Sequence, residues 1–202
     1  VIKAVIFDYG GVVTDGGGGN DVAERLAKNL NITIEEANNL LYKPWDDFFN
    51  GRINTSEYWS DVEKGYGHSI PIEKRDIFNT WDHMSPRPQI VQLVNKLKVN
   101  GCLVGLLSNV VPVTESIIRE RGVYELFKPC ILSCVFGYSK PDKEVYLELL
   151  RQLPGIKPEE VVFVDDQERC LEPARAMGIK TILAKNAQQI VNDVSKLAEI
   201  ST

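Results

Sequence analysis

The chain has 202 residues, 44% hydrophobic and 25% charged, with a formal net charge of -5. That is an ordinary globular composition, long enough for one full core plus an inserted subdomain. Its lysines and arginines are dispersed, so no basic stripe offers a footprint for nucleic acid or an anionic membrane, and no run approaches the ~20 apolar residues of a bilayer span.

The first apolar run, residues 2–7, reads as a strand and delivers Asp8 at its end. Some seventy residues without a strand-like run follow. "GGGG" at 16–19 reads as an entry hinge or a flexible loop. "DVAERLAKNL" places Val22, Leu26 and Leu30 on one helical face, "TIEE" at 33–36 is a capping-box pattern, and Trp45, Phe48, Phe49, Tyr58 and Trp59 supply aromatic bulk. This stretch is expected to form a helical subdomain whose core those aromatics build, one or two of them facing a ligand.

Regular alternation then begins. Ser85 is the expected N-cap of a helix with Pro86 at its first position, Ile90, Leu93, Val94 and Leu97 on its buried face, and Gly101 beyond its end. Strands are expected at 102–107, 131–136, 161–164 and 180–183, and helices at 112–121, 142–153, 169–177 and 187–198. Near-continuous hydrophobic strands alternating with helices specify an α/β fold, a parallel five-stranded sheet covered on both faces in three Rossmann-like layers. The core is expected over 1–14 and 85–202, with an all-helical cap over 15–84.

Ligands of open parallel sheets bind beyond the carboxyl ends of the strands. Those positions hold Asp8, Ser108 with Asn109, Ser139 with Lys140, and Asp165 with Asp166. Any one of them alone reads as a cap or turn residue. Together they do not, because two adjacent carboxylates at the end of "VVFVDD" repel unless a cation lies between them.

In this order the segments "FDYGGVV", "LLSN", "YSKPD" and "VFVDD" resemble the four motifs of the haloacid dehalogenase-like (HAD) hydrolases, and "FFNGRINTSEYW" is similar to the helical cap that one subfamily inserts after its first strand. The resemblance covers essentially the whole chain. It implies a phosphatase in which Asp8 attacks phosphorus to give an aspartyl-phosphate. Mg²⁺ would be held by Asp8, the Gly10 carbonyl, and Asp165 and/or Asp166, while Ser108 and Asn109 bind substrate and Lys140 balances the crowded negative charge. The expected substrate is a small phosphorylated metabolite. Nucleic-acid and membrane partners are not expected, and the molecule would be a monomer or homodimer.

One position departs from the family pattern. Most phosphatases of the superfamily carry a second Asp two residues after the nucleophile as general acid and base, and here Gly10 stands there. A phosphatase whose leaving group needs no proton, or whose relay is water or a cap residue, is one reading. A 2-haloacid dehalogenase using the same nucleophile is a second, and a non-catalytic binding member a third. Paired Asp165 and Asp166 favour the first, since a dehalogenase has no use for a metal. Asp15 and His83 are assigned no catalytic role, and Arg169 and Glu168 are read as surface pairing. The scattered Cys102, Cys130, Cys134 and Cys170 suit packed thiols in a reducing cytoplasm better than a disulfide framework or a zinc site.

Overall fold

The computed structural model describes residues 1–15, 19–78 and 85–200. The glycines at 16–18 and His83 lie outside them.

Five parallel strands, β1 (Ala4–Phe7), β2 (Leu103–Ser108), β3 (Cys130–Leu132), β4 (Val161–Asp165) and β5 (Lys180–Leu183), form one sheet in the order β3-β2-β1-β4-β5. β1 is central, with Phe7 paired to Leu106 on one side and Val164 on the other. The chain steps outward from β1 to β2 and later to β4 on the opposite side, so the carboxyl end of β1 lies at the topological switch point, where such sheets bind ligands.

The three layers follow from the period-2 geometry of strands buried on both faces. Val5 and Phe7 of β1, with Val104, Leu106, Val162 and Val164, pack against Ile90, Leu93, Val94 and Leu97 of α4 (Pro88–Val99) and Ile190 and Val194 of α9 (Ala187–Ala198). Ala4 and Ile6, with Leu107, Ile131, Val161 and Phe163, pack against Val145, Tyr146 and Leu149 of α7 (Lys143–Arg151) and Leu171 and Ala174 of α8 (Glu168–Ala176). Each such aliphatic side chain contributes about 1.5–3 kcal/mol when fully buried.

Between β1 and β2 the described residues contain no strand. Helices α1 (Gly19–Leu30), α2 (Ile34–Phe49) and α3 (Thr55–Tyr66) build a separate apolar cluster from Val22, Leu26, Leu41, Phe48, Tyr58, Trp59 and Val62. α2 starts at the expected capping box: the Glu36 backbone N–H donates to Thr33 Oγ1, and the Thr33 N–H donates to the Glu36 carboxylate. Val111, which follows β2 and precedes α5 (Pro112–Glu120), joins this cluster from the sheet side.

Two expectations need correction. "ILSCVF" is not a strand to residue 136, because β3 ends at Leu132 and Ser133–Phe136 is one helical turn, α6. The Ser133 hydroxyl accepts from the Val110 N–H at 3.0 Å and donates to the Val110 carbonyl at 3.2 Å, occupying groups that a longer strand would need. In sequence the short run Ser133–Phe136 fits a strand and a helical turn equally well. Likewise α4 is capped by Arg87 with Pro88 at its first turn, not by Ser85 with Pro86. Arg87 is tied back to the first loop, its N–H donating to Val13 O at 2.8 Å and its Nε to Asp15 at 2.6 Å, and this delays the helix by two residues.

Candidate active site

Asp8 extends β1 by one ladder bond, its N–H donating to Val164 O at 2.9 Å, and then the chain turns away. The turn Tyr9–Val13 needs its second glycine. Gly11 has φ +70, and a Cβ there would strike the Asp166 carboxylate, whose Cγ would be 2.8 Å away. Gly10, at φ -69 and ψ 137, has an ordinary extended backbone.

Around Asp8 the structure gathers side chains from three distant segments. Lys140 Nζ lies 2.8 Å from Asp8 Oδ1 and 2.6 Å from Asp165 Oδ2, and 5.4 Å from the centre of the Phe163 ring. Asp165, the last residue of β4, is fully buried, and its other oxygen accepts the Gln167 N–H at 2.8 Å. Lys140 sits on the loop after α6, and Asn109 holds it there. The Asn109 amide donates to Lys140 O and accepts the Lys140 N–H, both at 2.8 Å. Asn109 therefore positions the lysine while also lining the cavity above Asp8. Ser108, the last residue of β2, is buried beside Asp8.

The electrostatics follow from burial. Desolvation pushes the Asp8 carboxyl up to about 6, with the Lys140 ammonium pulling it down, Asp165 pushing it up and the Ser108 hydroxyl pulling it down. For Lys140, burial acts to lower the pKa, but Asp8 and Asp165 more than offset it and the net shift is upward. The exposed Asp166 is raised by partial desolvation and by Asp165. Asp8 and Asp165 thus share one buried ammonium with Asp166 close by, leaving an excess of negative charge that a divalent cation would neutralise.

The donor set fits a hard cation. One carboxylate oxygen from each of Asp8, Asp165 and Asp166 lies within 4.8 Å of the others, near the ~4.2 Å between opposite oxygens around Mg²⁺.

Above Asp8 opens a cavity of about 820 Å³, lined from the sheet side by Asp8, Gly10, Ser108, Asn109, Lys140 and Gln167, among others. Asp165 and Asp166 do not line it. Its other wall is one face of α2: Tyr42, Trp45, Asp46, Phe49 and the C-cap Asn50, at the i, i+3, i+4, i+7, i+8 spacing of a helical stripe, followed by Arg52. Of the aromatics singled out in the sequence, Trp45 and Phe49 reach the cavity, whereas Phe48, Tyr58 and Trp59 are buried in the helical cluster. Arg169 also lines the cavity, its Nε donating to Gln167 Oε1 at 2.9 Å, while Glu168 pairs with Arg175. Asp15 is 90% exposed and bound to Arg87.

Asn50, Arg52 and Asp46 carried no sequence signal, because what brings them to the site is a tertiary contact at Gly51. Gly51 has φ +63, and a Cβ there would collide with the Cys134 carbonyl of α6, whose carbon would be 2.9 Å away. Backbone meets backbone at this point. Gly51→Ala is expected to lower kcat/KM about tenfold, because a left-handed L-residue costs ~1–2 kcal/mol and the clash separates α2 from α6. Steady-state kinetics on the variant measure this, and an unchanged kcat/KM would show the contact to be dispensable.

Fold and site together define an α/β protein with an acid-rich crevice at the switch point of its sheet. More narrowly, the chain belongs to the haloacid dehalogenase-like hydrolase family, whose model matches residues 2–178. It is 27% identical over 197 residues to a glyceraldehyde 3-phosphate phosphatase of Methanocaldococcus jannaschii, covering 90% of this chain and 84% of that one. It is also 24% identical to the mouse acyl-CoA dehydrogenase family member 10, over 96% of this chain but only 19% of that protein. In three dimensions it resembles a HAD family enzyme of Bacteroides thetaiotaomicron in complex with magnesium and inorganic phosphate, with a TM-score of 0.74, 21% identity and coverage of 94% and 99% of the two chains. No described helix is long and apolar enough to cross a membrane.

Proposed function

We propose that the protein is a Mg²⁺-dependent phosphatase of small phosphomonoesters, with Asp8 as nucleophile and helices α1–α3 as a cap over the core formed by 1–14 and 85–202. The observation that carries this reading is the convergence of Asp8, Asp165 and Asp166 within 4.8 Å, with Asp8 and Asp165 paired to one buried ammonium and Asp8 lining a cavity. The phosphatase relative and the Bacteroides enzyme holding magnesium and phosphate support it.

Asp8, Asp165, Asp166 and the Gly10 carbonyl would hold the ion, which when bound neutralises phosphoryl oxygens against the approach of an anionic nucleophile. Ser108 and the N–H groups after it would bind the remaining phosphoryl oxygens. An Asp8 oxygen forms the bond to phosphorus, the ester P–O bond breaks, and the leaving oxygen departs with the electron pair. Water then attacks the aspartyl-phosphate, the P–O bond to Asp8 breaks, and phosphate leaves with Asp8 restored. Lys140 holds the Asp8 carboxylate in place through both steps, itself held by Asn109. Gly10 offers no side chain to protonate the departing oxygen, which leaves as an anion and takes its proton afterwards from solvent.

A panel of phosphorylated metabolites that includes a 2-haloacid tests the reading. Release of inorganic phosphate from at least one phosphomonoester is expected, and no halide from the haloacid. Halide release without phosphate release would establish dehalogenation instead, and neither would establish a binding role.

A further inference from the structure

We propose that the substrate is an aryl phosphate, whose ring lies against the aromatic stripe of α2. The inference rests on the phosphatase reading and adds the chemistry of the leaving group, and two independent observations converge on it.

The first is the cavity wall. α2 turns Trp45 and Phe49 toward the space above Asp8, with Tyr42 one turn earlier on the same face. Trp45 and Phe49 meet edge to face at 5.0 Å, and Trp45 is braced from behind by Tyr58 at 6.1 Å and Phe78 at 6.3 Å. Amid the polar Asp46, Asn50 and Arg52 this pair forms a braced aromatic corner, where a flat ring gains both area burial and quadrupole contacts. A sugar phosphate or short acyl phosphate would leave it in contact with hydroxyls or water.

The second is Gly10. Gly10 supplies no acid beside the nucleophile, which favours an oxygen able to leave as an anion. Phenols, with pKa about 10, do so far more readily than alcohols, whose pKa lies near the ~15.7 of water. The wall selects a ring, and the missing acid selects an oxygen bonded directly to it. An aryl phosphate satisfies both.

The test separates ring recognition from leaving-group chemistry by using phosphonates, whose P–C bond is not hydrolysed. Phenylphosphonate and methylphosphonate are compared as inhibitors of the Mg²⁺-loaded enzyme, with the fastest phosphomonoester of the panel as reporter substrate. Phenylphosphonate is expected to inhibit about tenfold more tightly, and Trp45→Leu and Phe49→Leu should each narrow that ratio toward about threefold. The ratio is read within each protein, so a change in overall activity does not disturb it, and the wild-type comparison needs no variant at all. Equal inhibition by the two phosphonates in the wild type, or a ratio that both variants leave intact, would overturn the aromatic assignment while the phosphatase reading stood. Absence of hydrolysis across the whole panel would remove both.

Discussion

Asp8→Asn is expected to lower kcat by at least about 10⁴-fold, the scale seen when a covalent nucleophile is deleted. The amide is nearly isosteric and can still accept from Lys140 Nζ, which sits 2.8 Å from Asp8 Oδ1, so the geometry around the site survives. What disappears is the anionic oxygen proposed to bond to phosphorus. Stability should not fall with activity, and the sign can be worked out. The Asp8 carboxyl is raised from an ordinary 3.8 to about 6, chiefly by desolvation, so in metal-free protein its ionisation opposes folding. Folded-state stability is unaffected by this carboxyl below an ordinary 3.8, declines as pH rises from there to about 6, and stays reduced at neutral pH. The neutral amide of the variant carries no such penalty. The metal-free variant should therefore melt no lower than wild type at about pH 7.5 while turning over at least about 10⁴-fold more slowly. Thermal unfolding beside steady-state kinetics gives both readings. Near-wild-type turnover in the variant would place the nucleophile elsewhere.

How far the sequence revealed this arrangement depends on which interactions are local. "AVIF" could be read as a strand buried on both faces, and its alternate residues do enter two different cores. Asp8, Ser108 and Asp165 were visible as candidates because each is the first or last polar residue of an apolar run, a property of a few neighbouring positions. Asn109 was equally visible, but its partner was not. Its amide bonds the backbone of Lys140, 31 residues away, a positioning role that the sequence did not reveal beside the expected ligand contact. The strand expected to residue 136 fails for a similar reason, since the Ser133 hydroxyl is taken by Val110 across 23 residues. Gly51 marks the limit of such reading. In the sequence it is a loop glycine between two helices, and only the approach of the Cys134 carbonyl makes it the point at which α2 is seated above the site.

The neighbouring glycines of the first turn allow a sharper experiment than deletion. Gly11 is obligatory, with its left-handed backbone and the Asp166 carboxylate against it, whereas Gly10 has φ -69 and ψ 137, a conformation any L-residue adopts. Gly10→Asp can therefore be installed without backbone strain at a position that lines the cavity. In the wild type, with Gly10 where an acid would stand, log kcat/KM should fall steeply as leaving-group pKa rises, with aryl and acyl phosphates far ahead of alkyl ones. A positioned acid is worth about 10²–10⁴ in rate, and its benefit grows with the basicity of the departing oxygen. Gly10→Asp should thus raise alkyl phosphate hydrolysis by about 10²-fold, leave aryl phosphates within a few-fold of wild type, and flatten the leaving-group plot. A wild-type plot already flat would mean that another group, with Asp46 on the cavity-facing side of α2 the first to examine, delivers the proton. A steep plot that Gly10→Asp leaves unchanged would mean that the new carboxyl does not reach the leaving oxygen. A steep plot flattened by that one substitution would locate the chemical difference between this chain and the two-aspartate phosphatases in a single side chain, with the Gly10 carbonyl still free to serve the metal.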